Sequence, residues 1–203
     1  MSVFIGREKE LAELRSLAGE AGAQFLILYG RRRVGKTTLL LHWAQENGYP
    51  FLYWVANRFS PTLQLRSFSQ AIQQVAQPNL PVSTEFSFPN WEMALQQAAV
   101  LVTTQRFILI LDEFPYLAEA EPGLASLVQN LWDHQFKQTQ IFLVLAGSHI
   151  GMMRELMDYH APLYGRFTGH LHLKSLPFAT LSQFLPRYSV SERIATYAII
   201  GGI

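Results

Sequence analysis

The sequence predicts an α/β fold in which a parallel sheet carries helices on both faces. Two observations carry this. Five short apolar runs alternate along the chain with segments of helical spacing, the pattern of strands joined by crossover helices. Three of the runs, 25–29, 107–111 and 141–146, are apolar throughout rather than at every second residue, as strands covered on both faces are. The other two are 51–55 and 170–173, and the last alternates, which suits a sheet edge.

The elements follow in order. A helix over 8–17 opens the chain. The run FLILY enters a glycine-rich loop, and a helical pattern over 37–46 leaves it, with Gly48 placed to end it. Apolar residues near a 3.6 spacing predict a helix over 62–76 that stops before Pro78. Residues 78–89, PNLPVSTEFSFP, hold three prolines and no period, and read as a loop. Asn90 is placed to cap a helix over 91–102. Further helical patterns cover 124–136 and 152–157, and Ser191 is a candidate cap for a last helix towards Ile200. Residues 1–190 are expected to form one domain. Residues 191–203 read as the start of a helical segment that continues into further C-terminal domains, because GGI follows a helix-like run abruptly.

Composition narrows the class. Of 203 residues, 49% are apolar and 13% aromatic, enough for a sizeable core and incompatible with disorder. Only 15% are charged, below the roughly 25% of a typical soluble domain, which predicts that something covers part of the surface. A net charge of +1 gives no general attraction to nucleic acid or acidic lipid. The lack of cysteine excludes disulfides, thiolate metal sites and cysteine nucleophiles, and suits a reducing cytoplasm. No apolar signal core opens the chain, and no apolar run approaches the ~18 residues of a membrane span. A cytoplasmic protein without membrane contact is expected.

The sharpest motif is GRRRVGKT, residues 30–37, which fits G-x-x-x-x-G-K-[ST] at every fixed position. Its context fits as well, with a buried-looking strand before it and a helix after. Gly30 and Gly35 let the backbone wrap a phosphate without Cβ clashes. Successive amides, with Val34 among them, then form an anion nest at the positive end of the helix. Lys36 would bridge the β- and γ-phosphates, Thr37 would ligate Mg²⁺, and Thr38 would contact the α-phosphate. Arg31, Arg32 and Arg33 read either as solvated charges at the loop tip or as groups that engage phosphate or a partner.

The run FILILDE, ending in Asp112 and Glu113, has the Walker B pattern of an apolar strand closed by acids. Asp112 would hold Mg²⁺, largely through water, because this ion keeps much of its hydration shell. Glu113 would polarise an attacking water as general base, which a protein that only binds nucleotide does not need. Ser148 follows the fourth strand. It reads either as part of a plain Gly-Ser turn or, if that strand lies between the loop strand and the Walker B strand, as a sensor of the γ-phosphate. His149 reads either as a second group for that region or, the reading preferred, as a polar loop residue.

Taken together, FIGREKEL, YGRRRVGKTTLL, ILILDEFPYL, LAGSHIGMM, PLYGR and the closing GGI resemble the archaeal-type ATPases, a STAND-like, AAA+-related group of P-loop ATPases. The resemblance spans nearly the whole chain. It implies a sheet of order 5-1-4-3-2 and an adenine pocket lined by Phe4, Ile5, Gly6 and Arg7. It also implies that Arg166 stands near the active site as a finger or sensor, acting within its own subunit or on a neighbour. In such proteins the ATPase core is followed by helical, winged-helix-like and often nuclease-like parts, through which alone DNA contact would be expected here. Homo-oligomerisation is a further expectation. The function expected is Mg²⁺-dependent hydrolysis of ATP to ADP, coupled to conformational change in attached domains. The alternative is a STAND-like nucleotide switch with little turnover. A GTPase is disfavoured because no Asn-Lys-x-Asp motif occurs, and a small-molecule kinase because no acceptor pocket is legible.

Overall fold

A computed structural model describes residues 4–102 and 105–200. Its centre is a five-stranded parallel sheet. The strands are β1 (Gln24–Tyr29), β2 (Phe51–Val55), β3 (Phe107–Asp112), β4 (Ile141–Gly147) and β5 (Gly169–His172), in the order β2-β3-β4-β1-β5. This is the expected 5-1-4-3-2 read from the opposite edge. The three continuously apolar runs became β1, β3 and β4, and every residue of these strands is buried. β5 lies at the edge with only Leu171 buried.

Alternate residues of each strand feed two cores. On one face Phe25, Ile27, Leu109, Leu111, Leu143 and Leu145 meet α3 (Pro61–Ala76), α4 (Trp91–Val100), α5 (Phe114–Ala120) and α6 (Leu124–His134). Trp54, Phe68 and Trp91 pack there with ring centroids 5.4–5.9 Å apart. On the other face Leu26, Leu28, Ile108, Ile110 and Val144 meet α1 (Glu8–Gly19) and α2 (Lys36–Asn47). There Trp43 sets its ring edge-on to Phe142 at 4.8 Å.

The expected caps at Asn90 and Gly48 are present. The Asn90 side chain accepts from the Met93 amide at 2.9 Å, and Gly48 ends α2 at φ 70°. Residues 78–90 form the expected loop, held to α3 through Gln70 Nε2 to Thr84 O (2.6 Å) and Phe88 N to Ser69 Oγ (3.0 Å).

Several expectations are corrected. The last helix, α9 (Val190–Ile200), is capped by Ser189 rather than Ser191. Ser189 and Glu192 form a capping box, in which the Glu192 carboxylate accepts from the Ser189 amide at 2.7 Å. The helix predicted over 152–157 is α7 (Ile150–Glu155). It starts earlier because His149 Nδ1 accepts from the Met152 amide and caps it. The helix predicted to 136 ends at His134, and residues 136–138 tighten into a 3-10 turn. α5 was not predicted, nor was the four-residue α8 (Leu181–Phe184). The GGI at 201–203 lies outside the described residues.

Candidate active site

The carboxyl ends of β1, β3 and β4 lie side by side, with Tyr29 opposite Gly147 and Leu111 opposite Leu145. The P-loop leaves β1 at this edge. Gly30 is required here by close approach: a Cβ would sit 2.2 Å from the Leu173 carbonyl oxygen. Gly35 takes φ 90°, which a side chain would strain, and starts α2. Arg33 also adopts a positive φ, 66°. Lys36 is buried, and its Nζ donates to the Gly30 and Arg31 carbonyls at 3.0 and 3.2 Å. Burial holds its pKa below the ordinary lysine value, partly offset by the Glu113 and Asp112 carboxylates.

The Walker B strand delivers its acids to the same place. Thr37 Oγ1 donates to Asp112 Oδ2 at 3.0 Å. The hydroxyl of Tyr53, from β2, reaches the same Oδ2 at 2.5 Å and lies 3.2 Å from Thr37 Oγ1. Burial, and then the bond to Asp112, push the Tyr53 phenol well above its ordinary pKa. Asp112 Oδ1 accepts from the Glu113 amide at 2.8 Å, which fixes the carboxylate with Oδ2 towards Thr37. Asp112 and Thr37 therefore present adjacent oxygen donors, the chemistry a hard divalent cation takes. Among the described residues no group of three or more His, Asp or Glu could cage an ion alone.

Glu113 occupies the left-handed region at φ 52° and precedes α5. A non-glycine residue held there stores backbone strain, as functional positions often do. Its Oε2 accepts from the Ser148 amide at 3.1 Å and the Ser148 hydroxyl at 2.8 Å. Gly147 allows this approach, since a Cβ there would lie 2.6 Å from Pro115 Cδ. Beside Lys36, Thr37, Thr38, Arg33 and Glu113 opens a cavity of about 530 Å³.

The structure thus brings together most of the site residues the sequence singled out. It treats three groups differently. Arg31 contributes its carbonyl to Lys36 and leaves its side chain exposed. Phe4–Arg7 do not line the cavity but brace the loop. Phe4 stacks on His42 of α2 at 4.0 Å, and the buried Arg7 guanidinium donates to Val34 O (2.9 Å) and Lys174 O (2.7 Å). Ile5 is half-buried, and Gly6, at φ 75°, has Thr180 and Leu176 against its Cα face. Arg166 grips Asp133 of α6 with Nε and Nη2 at 2.8–3.1 Å, and gives Nη1 to the Pro162 and Tyr164 carbonyls. Its fork is turned to α6, not to the cavity.

Tyr53, Arg58 and Tyr116 were missed. Tyr53 reaches the site through strand register, Arg58 from the turn between β2 and α3, and Tyr116 from the first turn of α5, and none of the three has a sequence signature. The expected sheet order already put β2 beside β3; what the sequence lacked was the register, which sets Tyr53 opposite Ile110 and Val55 opposite Asp112.

A loop that leaves a parallel strand at its carboxyl end and turns at Gly35 into a helix, a buried lysine and a threonine–aspartate pair define the class of P-loop ATPases. Residues 4–202 match the ATPase domain family found predominantly in Archaea, and the chain belongs to that family. An uncharacterized protein of Methanocaldococcus jannaschii is 33% identical over 202 residues, covering 99% of this chain and 42% of that protein. The Walker-type ATPase of Pyrococcus abyssi superposes with a TM-score of 0.71 at 22% identity, covering 98% of this chain and 64% of the other. The ORC1 protein of Aeropyrum pernix, solved in complex with DNA, gives a TM-score of 0.60 at 19% identity, covering 97% of this chain and 51% of the other. The chain therefore spans less than two thirds of each. No helix among the described residues is long and apolar enough to cross a membrane.

Proposed function

We propose that the chain binds ATP with magnesium at the P-loop and hydrolyses it to ADP and phosphate. The observation that carries this is the pairing of Thr37 Oγ1 with Asp112 Oδ2 at 3.0 Å beside the buried Lys36, with Glu113 on the wall of the same cavity. A triphosphate needs amides and a cation for its oxygens, oxygen donors for its metal, and a base for the water. Lys36, Thr37 and Glu113 line one cavity, and Asp112 is bonded to Thr37 beside it.

Lys36 would exchange its carbonyl partners for the β- and γ-phosphate oxygens, while the amides of 30–37 cradle the chain of phosphates. Thr38 is exposed at the start of α2, where it would contact the α-phosphate. Asp112 and Thr37 would hold the metal, which supplies neutralisation of charge on the β- and γ-oxygens. Glu113 would accept a proton as the water oxygen bonds to the γ-phosphorus. The bond from that phosphorus to the β–γ bridging oxygen breaks, leaving ADP, and the proton passes on to phosphate. Ser148 orients Glu113. Phe4–Arg7 remain our candidate for the adenine side, through their contact with the loop and with α2. Coupled domain motion, self-association, and DNA contact of the kind seen for ORC1 would belong to assemblies larger than these residues.

The two bonds from Ser148 to Glu113 favour a second reading, a nucleotide-loaded switch with slow turnover, because the oxygen that would receive the proton is already engaged. Phosphate release under saturating Mg-ATP separates the readings. Hydrolysis expects steady turnover that falls on the order of 100-fold or more in Glu113→Gln with nucleotide binding intact. A switch expects one turnover at most, with bound nucleotide retained. Failure of the wild-type chain to bind ATP at all would sink both.

A further inference from the structure

Glu113 shares its surroundings with two arginines from separate parts of the chain. Arg32 comes from the P-loop, and Arg58 from the turn between β2 and α3. Both line the 530 Å³ cavity with Lys36 and Thr37. Both also line an adjoining cavity of about 200 Å³ that is bounded by Glu113 and Ser148. Tyr116 of α5 joins them. Its ring lies 4.9 Å from the Arg58 guanidinium carbon, and its hydroxyl accepts a hydrogen bond from Arg32 Nη2. Arg32 Nε points to Ser148 Oγ at 3.4 Å.

The choice of partner matters. Among the described residues neither Arg32 nor Arg58 is in an ion pair, whereas Arg166 spends its fork on Asp133. An arginine resting on a tyrosine ring keeps its N–H donors available. A guanidinium with free donors pairs bidentately with phosphate oxygens. Arg58 is such a group, and Arg32, whose Nε and Nη2 meet the neutral hydroxyls of Ser148 and Tyr116 rather than a carboxylate, keeps its charge for a phosphate; both line the cavity with the proposed general base.

We propose that Arg58, together with Arg32, stabilises the transferring γ-phosphoryl group from within the same chain. This rests on the ATPase reading above. As the water oxygen–γ-phosphorus bond forms and the phosphorus–bridging oxygen bond breaks, the equatorial oxygens and the departing ADP carry negative charge, and the proton goes to Glu113. Arg58 and Arg32 meet that charge without help from a neighbouring subunit. Tyr116 is the positioning residue that keeps both side chains at the cavity mouth before ATP arrives.

The test uses Arg58→Ala, Arg58→Lys and a mixing experiment, with affinities for Mg-ADP and for Mg-ADP with aluminium fluoride measured alongside turnover. Arg58→Ala is expected to lower kcat on the order of 100-fold while ATP affinity changes less than about threefold. Its preference for the aluminium fluoride complex over ADP alone should fall in step, and Arg58→Lys should recover only part of either. Mixing Arg58→Ala with Glu113→Gln chains should restore no activity, since each chain would need both groups itself. Restored activity on mixing, or an Arg58→Ala chain with unaltered kcat and analogue preference, overturns the proposal. If the wild-type chain binds nucleotide without turnover, the analogue preference alone decides. If it binds no nucleotide, the ATPase reading fails first and takes this one with it.

Discussion

Thr37, Asp112 and Tyr53 form a three-way contact through a single carboxylate oxygen, Asp112 Oδ2. The consequences are measurable one residue at a time. Lys36 donates to two carbonyls and would donate instead to phosphate, and a hydrogen bond to a charged group is worth about 1.5–3 kcal/mol. Lys36→Ala is therefore expected to weaken ATP binding roughly 10–100-fold in a calorimetric titration. Equal affinity in the two proteins would remove the ammonium from the site. Tyr53 has its folded pKa raised above the ordinary value of 10.0. The stability it contributes is complete below pH 10.0 and is lost as pH rises beyond that towards the folded value. Lys36, with its pKa lowered, acts in the opposite sense, gaining stability between that lowered value and 10.5. Tyr53→Phe should therefore flatten or reverse the alkaline fall in denaturation midpoint, and an unchanged slope would show that the phenol ionises freely in the native protein. Gly30 differs in kind. Its obstacle is the Leu173 carbonyl at 2.2 Å, a backbone atom that cannot swing aside. Gly30→Ala is expected to cost about 1–3 kcal/mol of stability, read from urea unfolding, whether or not nucleotide is present.

At the scale of elements, the strands were legible and two of the short helices, α5 and α8, were not. β1, β3 and β4 announce themselves because a strand buried on both faces must be apolar at every position. The P-loop and Walker B acids were legible because phosphate and metal chemistry restricts residue types at fixed spacing. α5 and α8 are too short to show a period, and α5 opens with Phe114 and Pro115 directly after the acids. Tyr53 and Arg58 depend on register and a turn between β2 and α3, which no single run of sequence encodes. Arg166 shows the converse. Its motif suggested a place at the phosphates, but its donors hold the loop after α7 to α6. The pair is partly exposed, 27% and 34% by side chain, so its coupling should be modest. A double-mutant cycle of Arg166→Ala and Asp133→Ala is expected to give about 1 kcal/mol of coupling in stability. A coupling of zero would mean that the bidentate contact does not hold the two elements together.

For the whole molecule, the site sits where three central strands, a loop and two helix starts converge, so a ligand there is bound by parts that are distant in sequence. Lys36 and Asp112 come from opposite sides of the long β2–α4 excursion, and Ser148 follows a further strand. Nothing but the folded sheet assembles them, and the unfolded chain should bind nucleotide negligibly. Binding then adds its full free energy to global stability, about 2.7 kcal/mol at a hundred times Kd. For a chain of 203 residues that corresponds to a rise in Tm of roughly 5–10 °C. The rise should shrink when a chelator removes magnesium, because Asp112 and Thr37 then face the phosphates with no cation between them, and two negative groups repel. It should shrink again in Lys36→Ala. A thermal shift indifferent to both the metal and the lysine would place the nucleotide elsewhere on the surface. A shift that needs both ties binding to the cavity lined by the P-loop, residues 55–58 and Glu113, and couples occupation of that cavity to the stability of the whole sheet.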